Sequence, residues 1–368
     1  MSNDAQSLSI LFAAGGTGGH LFPAIAIAEE IKKMEPDARI TFVGTKNKIE
    51  ARIIPQKSFA FHTIWIGGFH RRLTVENLLF PLKIVVSLFQ SFFLIQKTKP
   101  DVVVGTGGYV CGPVLYVAAL MKIPTVIHES NSYPGVTTRM VASRVSKVLL
   151  TFEITKKWLQ GVDAGKVELV GTPTRDSLGK ISREAGLKFF NLNPKKKTLL
   201  VFGGSLGAKT INLMIEKIVE QLTKTGVQII WQTGENEAER FAARRNENTW
   251  VGKFIDTMEF AYAAADLVMC RSGATTLAEL TRLGKPAILV PYPHAAANHQ
   301  EMNAHAMVEA GAAVMIKDND LESKALTTIN EILSNEPTQD AMHAKSLALG
   351  RPNAAKEIAQ KILRMINR

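Results

Sequence analysis

The sequence is poor in cysteine: two residues in 368, Cys111 and Cys270, each inside an apolar run. Two such residues make neither a disulfide framework nor a metal-binding spacing, so a reducing compartment is expected. The histidines show no zinc spacing backed by other ligands. The first nine residues, Met1–Ser9, are polar and lack a basic run, and the apolar stretch behind them leads straight into glycines. No signal peptide is expected. No Gly-Lys-Ser/Thr follows a glycine loop, which excludes a P-loop. No aromatic and basic stripe of a nucleic-acid module is found, so no nucleic-acid partner is expected. Acidic residues are outnumbered, 33 against 44 basic, for a net charge of +11. That excess suits a polyanionic partner and is equally compatible with solubility alone.

What is there reads as two α/β domains. The length exceeds one ordinary core. Hydrophobic residues make up 46% and charged residues 21%, ordinary globular values. Two segments look alike: Ser9-Ile-Leu-Phe-Ala-Ala-Gly-Gly-Thr-Gly-Gly and Thr198-Leu-Leu-Val-Phe-Gly-Gly-Ser-Leu-Gly-Ala. Each reads as a buried parallel strand, a glycine turn and a helix. Further strands are predicted at Arg39–Val43, Val102–Gly105, Thr125–His128 and Lys147–Leu150, then at Gln228–Gln232, Leu267–Cys270 and Ala287–Val290. Alternation with helices predicts a doubly wound domain in each half. The boundary is expected near Gly171–Arg175, with domains at 1–172 and 173–351. Asp176–Lys197 reads as an exposed connector with a peripheral helix. Ala354, Ile358, Ile362 and Ile366 predict a final helix, and their spacing does not say which domain it joins.

The segment Asn77–Gln96 is nearly all apolar, with a polar stripe of Lys83, Ser87, Gln90 and Ser91. One reading is a helix packed on a sheet with that stripe exposed. In the other, its start rests on an anionic membrane, with Leu78–Phe80 toward lipid and Arg71, Arg72 and Lys83 nearby. The two readings are compatible.

Six motifs follow predicted strands or turns. Gly15-Gly-Thr-Gly-Gly-His20 brings backbone amides to a ligand at a helix start. It is not a dinucleotide fingerprint, because Leu21 falls where the third glycine belongs and no acid follows the second strand. His20 is placed either as a general base or as a helix-capping donor. Gly105-Thr-Gly-Gly-Tyr-Val-Cys-Gly-Pro113 is a second glycine loop or a tight turn. In His128-Glu-Ser-Asn131, Glu129 orients a base or binds a hydroxyl and Asn131 holds a sugar hydroxyl, or either caps the helix after Gly135. Gly203-Gly-Ser-Leu-Gly-Ala208 offers Ser205 to a phosphate. Cys270-Arg-Ser-Gly-Ala-Thr-Thr-Leu-Ala-Glu279 puts amides and hydroxyls on a diphosphate and Glu279 on a ribose diol; the alternative is a capping variant with Thr275 and Glu279 at the surface. Asn298–Asn303 offers Gln300 to sugar hydroxyls. Asp318-Asn-Asp320 matches the acidic motif of metal-dependent sugar transferases. Its place in a polar turn makes Asp320 an N-cap instead, and no metal site is expected.

Taken together, these motifs, with Gly171–Arg175 and Phe254-Ile-Asp256, resemble the bacterial MurG family in order and spacing over nearly the whole chain. The resemblance implies the GT-B fold: two Rossmann-like domains facing across a cleft, with the final helix (352–368) returning to the first. It implies an inverting transfer of N-acetylglucosamine from UDP-N-acetylglucosamine to an undecaprenyl-linked muramoyl acceptor, without cofactor or metal. It places the protein peripherally on the inner face of the cytoplasmic membrane. By motif, the donor contacts are Thr17, Gly18, Gly19, Asn131, Arg175, Ser205, Ile255, Ala274, Thr275, Thr276, Leu277, Ala278, Glu279 and Gln300. Gly15, Gly16, Gly107, Gly108 and Tyr109 lie at the acceptor. His20, assisted by Glu129, takes the proton of the acceptor hydroxyl, and Ile255 packs on uracil. Many relatives carry Gln where this chain has Ser130, and a polar residue at Leu206. A UDP-sugar epimerase, a transferase for another lipid and a nucleotide-sugar sensor are the rival readings. Oligomeric state is not legible.

Overall fold

The computed structural model describes residues 7–68, 79–204, 206–235, 237–295 and 298–366. The chain divides into two compact units, 1–175 with 352–368, and 176–351.

The first unit is built on seven parallel strands: β1 (Ser9–Ala13), β2 (Arg39–Gly44), β3 (Ala60–Thr63), β4 (Val102–Gly105), β5 (Thr125–Glu129), β6 (Lys147–Leu150) and β7 (Val167–Leu169). Their order is β3-β2-β1-β4-β5-β6-β7. Every residue of β1 is buried, as its unbroken apolar run requires in a sheet covered on both faces. The order reverses between β1 and β4. Loops after such neighbours leave toward opposite faces and open a crevice at the carboxyl edge. The two glycine loops of this unit follow these two strands.

The helix Ala354–Ile366 belongs to this unit. Ile358 and Ile362 are fully buried in one core with Leu21, Ile25 and Ile31 of the helix Gly18–Met34. Burying each is worth about 1.5–3 kcal/mol. Lys361 pairs with Glu168, which also holds Lys147 at 2.7 Å.

The apolar segment forms the helix Phe80–Thr98, with Pro81 in its first turn. Its orientation reverses the packing reading. Ser87 and Ser91 are fully buried, while Phe89 and Phe93 are 63% and 66% exposed. Each serine hydroxyl is satisfied by a carbonyl of its own helix, Ile84 O and Ser87 O. Small, self-satisfied side chains suit the face packed toward the helix Cys111–Leu120. Gln90 accepts from Trp65 N at 2.7 Å, and Lys83 lies 5.8 Å from the Trp65 ring centre. The serines of the stripe thus face the fold with Leu94 and Ile95, and Phe89 and Phe93 face out. By length and composition alone this helix is long and apolar enough to cross a membrane. Arg71, Arg72 and Leu78 lie outside the described residues.

The second unit has six parallel strands: β8 (Thr198–Phe202), β9 (Gln228–Gln232), β10 (Thr249–Gly252), β11 (Leu267–Cys270), β12 (Ala287–Leu289) and β13 (Ala313–Met315), in the order β10-β9-β8-β11-β12-β13. The reversal falls between β8 and β11, again at two of the singled-out motifs. The connector helix Arg183–Phe189 is not peripheral. It packs on the helix Met258–Ala264, with Leu187 and Phe190 in the core. Gly186 sits at that contact, because a Cβ there would lie 2.6 Å from Phe260 O.

Candidate active site

In the first unit, β1 ends at Ala13 and Gly16 turns the chain at φ +90°. The helix beginning at Gly18 has no acidic residue in its first turn and no side-chain cap from Thr17. A helix start of this kind favours an anion at the loop. Gly107 (φ +115°) and Gly108 (φ +88°) form the loop after β4. A Cβ on Gly107 would run into the His20 ring, and one on Gly108 into the Gly15 carbonyl. Only glycine allows these two loops to touch.

His20 is half-buried on this contact. Its Nδ1 lies 3.3 Å from the Gly15 carbonyl oxygen and 3.4 Å from Thr17 Oγ1. A proton on Nδ1 satisfies that carbonyl and leaves Nε2 as the basic atom. The ring hydrogen-bonds the loop before the helix and is not its cap. Burial pushes the His20 imidazole below its usual value, opposed by the charge of Glu129, the Gly15 carbonyl and the charge of Glu50.

Glu129 is buried and its oxygens are committed. Oε1 accepts from Asn131 N and Nδ2, both at 2.9 Å; Oε2 accepts from Gly135 N at 2.9 Å and Thr138 Oγ1 at 2.6 Å. Glu129 holds the loop before the helix Val136–Val141, through Gly135 N and Thr138 Oγ1, and reaches His20 through its charge. Asn131 is tied down by the same carboxylate. His128 bonds Gly171 O at 2.9 Å, and Ser130 Oγ lies 3.3 Å from its Nδ1. Tyr109 is half-exposed against Gly68. The Arg175 guanidinium lies 5.2 Å from the Phe22 ring centre, two residues beyond His20. Cys111 is buried, with its thiol pushed up to about 12 by burial, and bonds Ala13 O and Gly107 O.

In the second unit, β11 ends at Cys270 and Gly273 begins the helix Ala274–Leu283, again without an acidic first turn or side-chain cap. Thr275, Thr276 and Ala278 are half-exposed, Leu277 is buried, and Glu279 is nearly so. Tyr262 Oη donates to Glu279 Oε2 at 2.9 Å. Glu279 is therefore not the surface residue of the capping alternative. Ser272 Oγ donates to Gln300 O, and Asn303 Nδ2 to Ser272 O.

Two expected donor contacts are already engaged. The Ile255 amide donates to Gln232 Oε1 at 2.9 Å, and Gln300 Oε1 accepts from Tyr292 N at 3.0 Å. Ser205 lies outside the described residues; its neighbour Leu206 is 69% exposed. Asp318 is held by Arg271 in a largely buried ion pair. Asp320 occupies the N-cap position of the helix Leu321–Leu333 but makes no cap bond; its carboxylate pairs with Lys324 at 2.9 Å.

Some residues that build the site were given no role from the sequence. Glu50 is fully buried beneath the first glycine loop, where it binds Gly16 and Thr45. Gln232 links Ile255 to Gly204 O. Arg271 ties the turn after β11 to Val290 O and Pro291 O. Gln232 carried a signal as the polar residue closing an apolar strand, and Arg271 as the second residue of its motif; Glu50 carried none.

Comparison with known proteins agrees across the whole chain. The family model for the glycosyltransferase family 28 N-terminal domain matches residues 10–150, and that for its C-terminal domain matches residues 198–362. A relative in Chlorobaculum parvum, 44% identical over 97% of this chain and 99% of its own, is the UDP-N-acetylglucosamine–N-acetylmuramyl-(pentapeptide) pyrophosphoryl-undecaprenol N-acetylglucosamine transferase. One of the same name in Flavobacterium psychrophilum is 38% identical over 98% of both chains. The crystal structure of Acinetobacter baumannii MurG matches with TM-score 0.72 and 28% identity, over 97% of this chain and 99% of that one. A putative UDP-N-acetylglucosamine 2-epimerase from Listeria monocytogenes (TM-score 0.71, 13% identity, 96% of this chain and 94% of that one) shares the fold alone. With two Rossmann-like α/β units and full-length kinship to these enzymes, the chain belongs to the MurG family within glycosyltransferase family 28.

Proposed function

We propose that this protein transfers N-acetylglucosamine from UDP-N-acetylglucosamine to the 4-hydroxyl of the muramoyl sugar on an undecaprenyl-diphospho-muramoyl-pentapeptide, inverting the anomeric centre. The observation that carries the reading is His20: a half-buried imidazole at a switch-point loop, with Nδ1 on a carbonyl and Nε2 as the basic atom. A purely binding role gives no task to a base so placed, and an epimerase has no need of the exposed apolar face of Phe80–Thr98.

The reading assigns acceptor and base to the first unit. His20 Nε2 takes the proton of the attacking hydroxyl as the new glycosidic bond forms and the bond to UDP breaks. Gly15, Gly16, Gly107, Gly108 and Tyr109 meet the acceptor; Thr17, Gly18, Gly19 and Asn131 meet the donor. Arg175 and the helix start at Ala274–Thr276, with Ser205, take up the charge that develops on the leaving diphosphate. Glu279, steadied by Tyr262, holds the ribose, and Ile255 packs on uracil through its side chain and carbonyl, its amide being engaged.

The acceptor's lipid requires a membrane surface, and two features support peripheral binding at the cytoplasmic face of the inner membrane. The residues of the first unit include 24 Lys and Arg against 13 Asp and Glu, a surplus equal to the chain's whole net charge of +11. The same unit exposes the apolar face of Phe80–Thr98.

The test is UDP release by the purified protein from UDP-N-acetylglucosamine, with and without a lipid I analogue and with EDTA throughout. Release that requires the acceptor and survives EDTA is the expected result. Donor-binding protein that releases no UDP overturns the reading.

A further inference from the structure

If His20 is the base, something must hold its imidazole in the right tautomer, and the Gly15–Gly16 peptide is placed to do so. The carbonyl of that peptide unit meets His20 Nδ1 at 3.3 Å. Its N–H, on Gly16, donates to Glu50 Oε2 at 3.0 Å. Glu50 Oε1 accepts from Thr45 N at 3.0 Å and Thr45 Oγ1 at 2.7 Å. The side chain is fully buried. A Cβ on Gly15 would lie 2.5 Å from Glu50 Oε1, and one on Gly44 2.5 Å from Glu50 Cγ. Two glycines thus make room for this carboxylate, on a helix (Ile49–Gln56) that contributes no other residue to the site.

We propose that Glu50 is a positioning residue for the transfer reaction, acting on His20 through the Gly15–Gly16 peptide in the series imidazole N–H, peptide carbonyl, peptide N–H, carboxylate. A carboxylate on the N–H polarises the peptide and makes its carbonyl a stronger acceptor. The stronger acceptor fixes the proton on Nδ1, keeps Nε2 basic and stabilises the imidazolium once Nε2 has taken the hydroxyl proton. No second proton moves. In the Ser-His-Asp triad a buried carboxylate does this by direct contact; here one peptide unit intervenes. The charged groups acting on the ring are Glu129, from β5, and Glu50, and both favour the protonated form. Glu129 spends its hydrogen bonds on its own loop. The inference rests on His20 being the base.

The test is E50Q, alone and combined with H20A. Alone, kcat is expected to fall about 10–100-fold, as for other groups that orient a functional histidine. The KM for UDP-N-acetylglucosamine should hold, and the acid limb of the pH profile should move to lower pH. NMR titration of the His20 ring in ligand-free protein should move the same way. In H20A, E50Q should cost nothing further, because two residues acting as one unit are not additive. Equal losses in both backgrounds with an unmoved titration would make Glu50 merely structural and overturn the proposal. H20A with wild-type turnover would instead overturn the base assignment, while the NMR shift still reports whether Glu50 acts on His20. Should E50Q fail to fold, E50D keeps the charge but withdraws it from Gly16; wild-type kcat in folded E50D overturns the proposal.

Discussion

At the residue scale, the proposed site separates groups assigned to substrate from groups that hold them. Removing a general base costs about 10²–10⁴-fold in rate, so H20A should lose that much kcat in a UDP-release assay. The base must be neutral to act. Burial sets His20 below its ordinary 6.5, so the acid limb of kcat/KM should be centred below pH 6.5. A limb centred above 6.5 would contradict the assignment. For Tyr262, whose hydroxyl holds Glu279, Y262F should raise the donor KM severalfold with little change in kcat. Equal loss in both would place the tyrosine in the chemistry. His20 and Glu279 could be singled out because glycine turns and strand ends announce them. Glu50 and Tyr262 were not, because a carboxylate five residues past Thr45 and a tyrosine in an apolar helix gain their meaning only from what the fold sets beside them.

At the element scale, the central strands were legible because burial on both faces leaves an unbroken apolar run. β3, β7, β10 and β13 were not, and each lies at the edge of its sheet in three or four residues. An edge strand has one neighbour and a partly wet face, so its sequence need not be apolar throughout. The helix Phe80–Thr98 was recognised, but its inward face was misassigned. The reading put serines toward water, whereas their hydroxyls are satisfied within the helix. The exposed face makes a direct prediction. Phe89→Glu and Phe93→Glu touch no core, so unfolding free energy should change by about 0.5 kcal/mol or less. Co-sedimentation with lipid vesicles should nevertheless fall sharply. Unchanged vesicle binding would leave that face without a role. By contrast, Ile362→Ala removes a fully buried side chain and should cost about 2–5 kcal/mol, seen as an earlier first transition in denaturant.

At the scale of the whole molecule, the asymmetry of charge carries further than its total. A net charge of +11 spread over 368 residues would be an ordinary aid to solubility. Here 20 Lys and Arg balance 20 Asp and Glu in the second unit, so the entire surplus lies in the unit that exposes the apolar helix. Cations at an anionic bilayer contribute about 1 kcal/mol each within a Debye length. That length shrinks from about 10 Å at 0.1 M salt to about 3 Å at 1 M. Binding to vesicles rich in anionic lipid should therefore weaken steeply with added salt. The apolar contribution is not screened and should leave a residual at high salt. Neutral vesicles should give that residual alone, with little salt dependence. The double variant Phe89→Glu, Phe93→Glu should remove the residual and keep the steep salt response of what remains on anionic vesicles. If wild-type binding were instead indifferent to both salt and lipid charge, the surplus would serve solubility only, and the apolar helix alone would hold the protein to its lipid substrate.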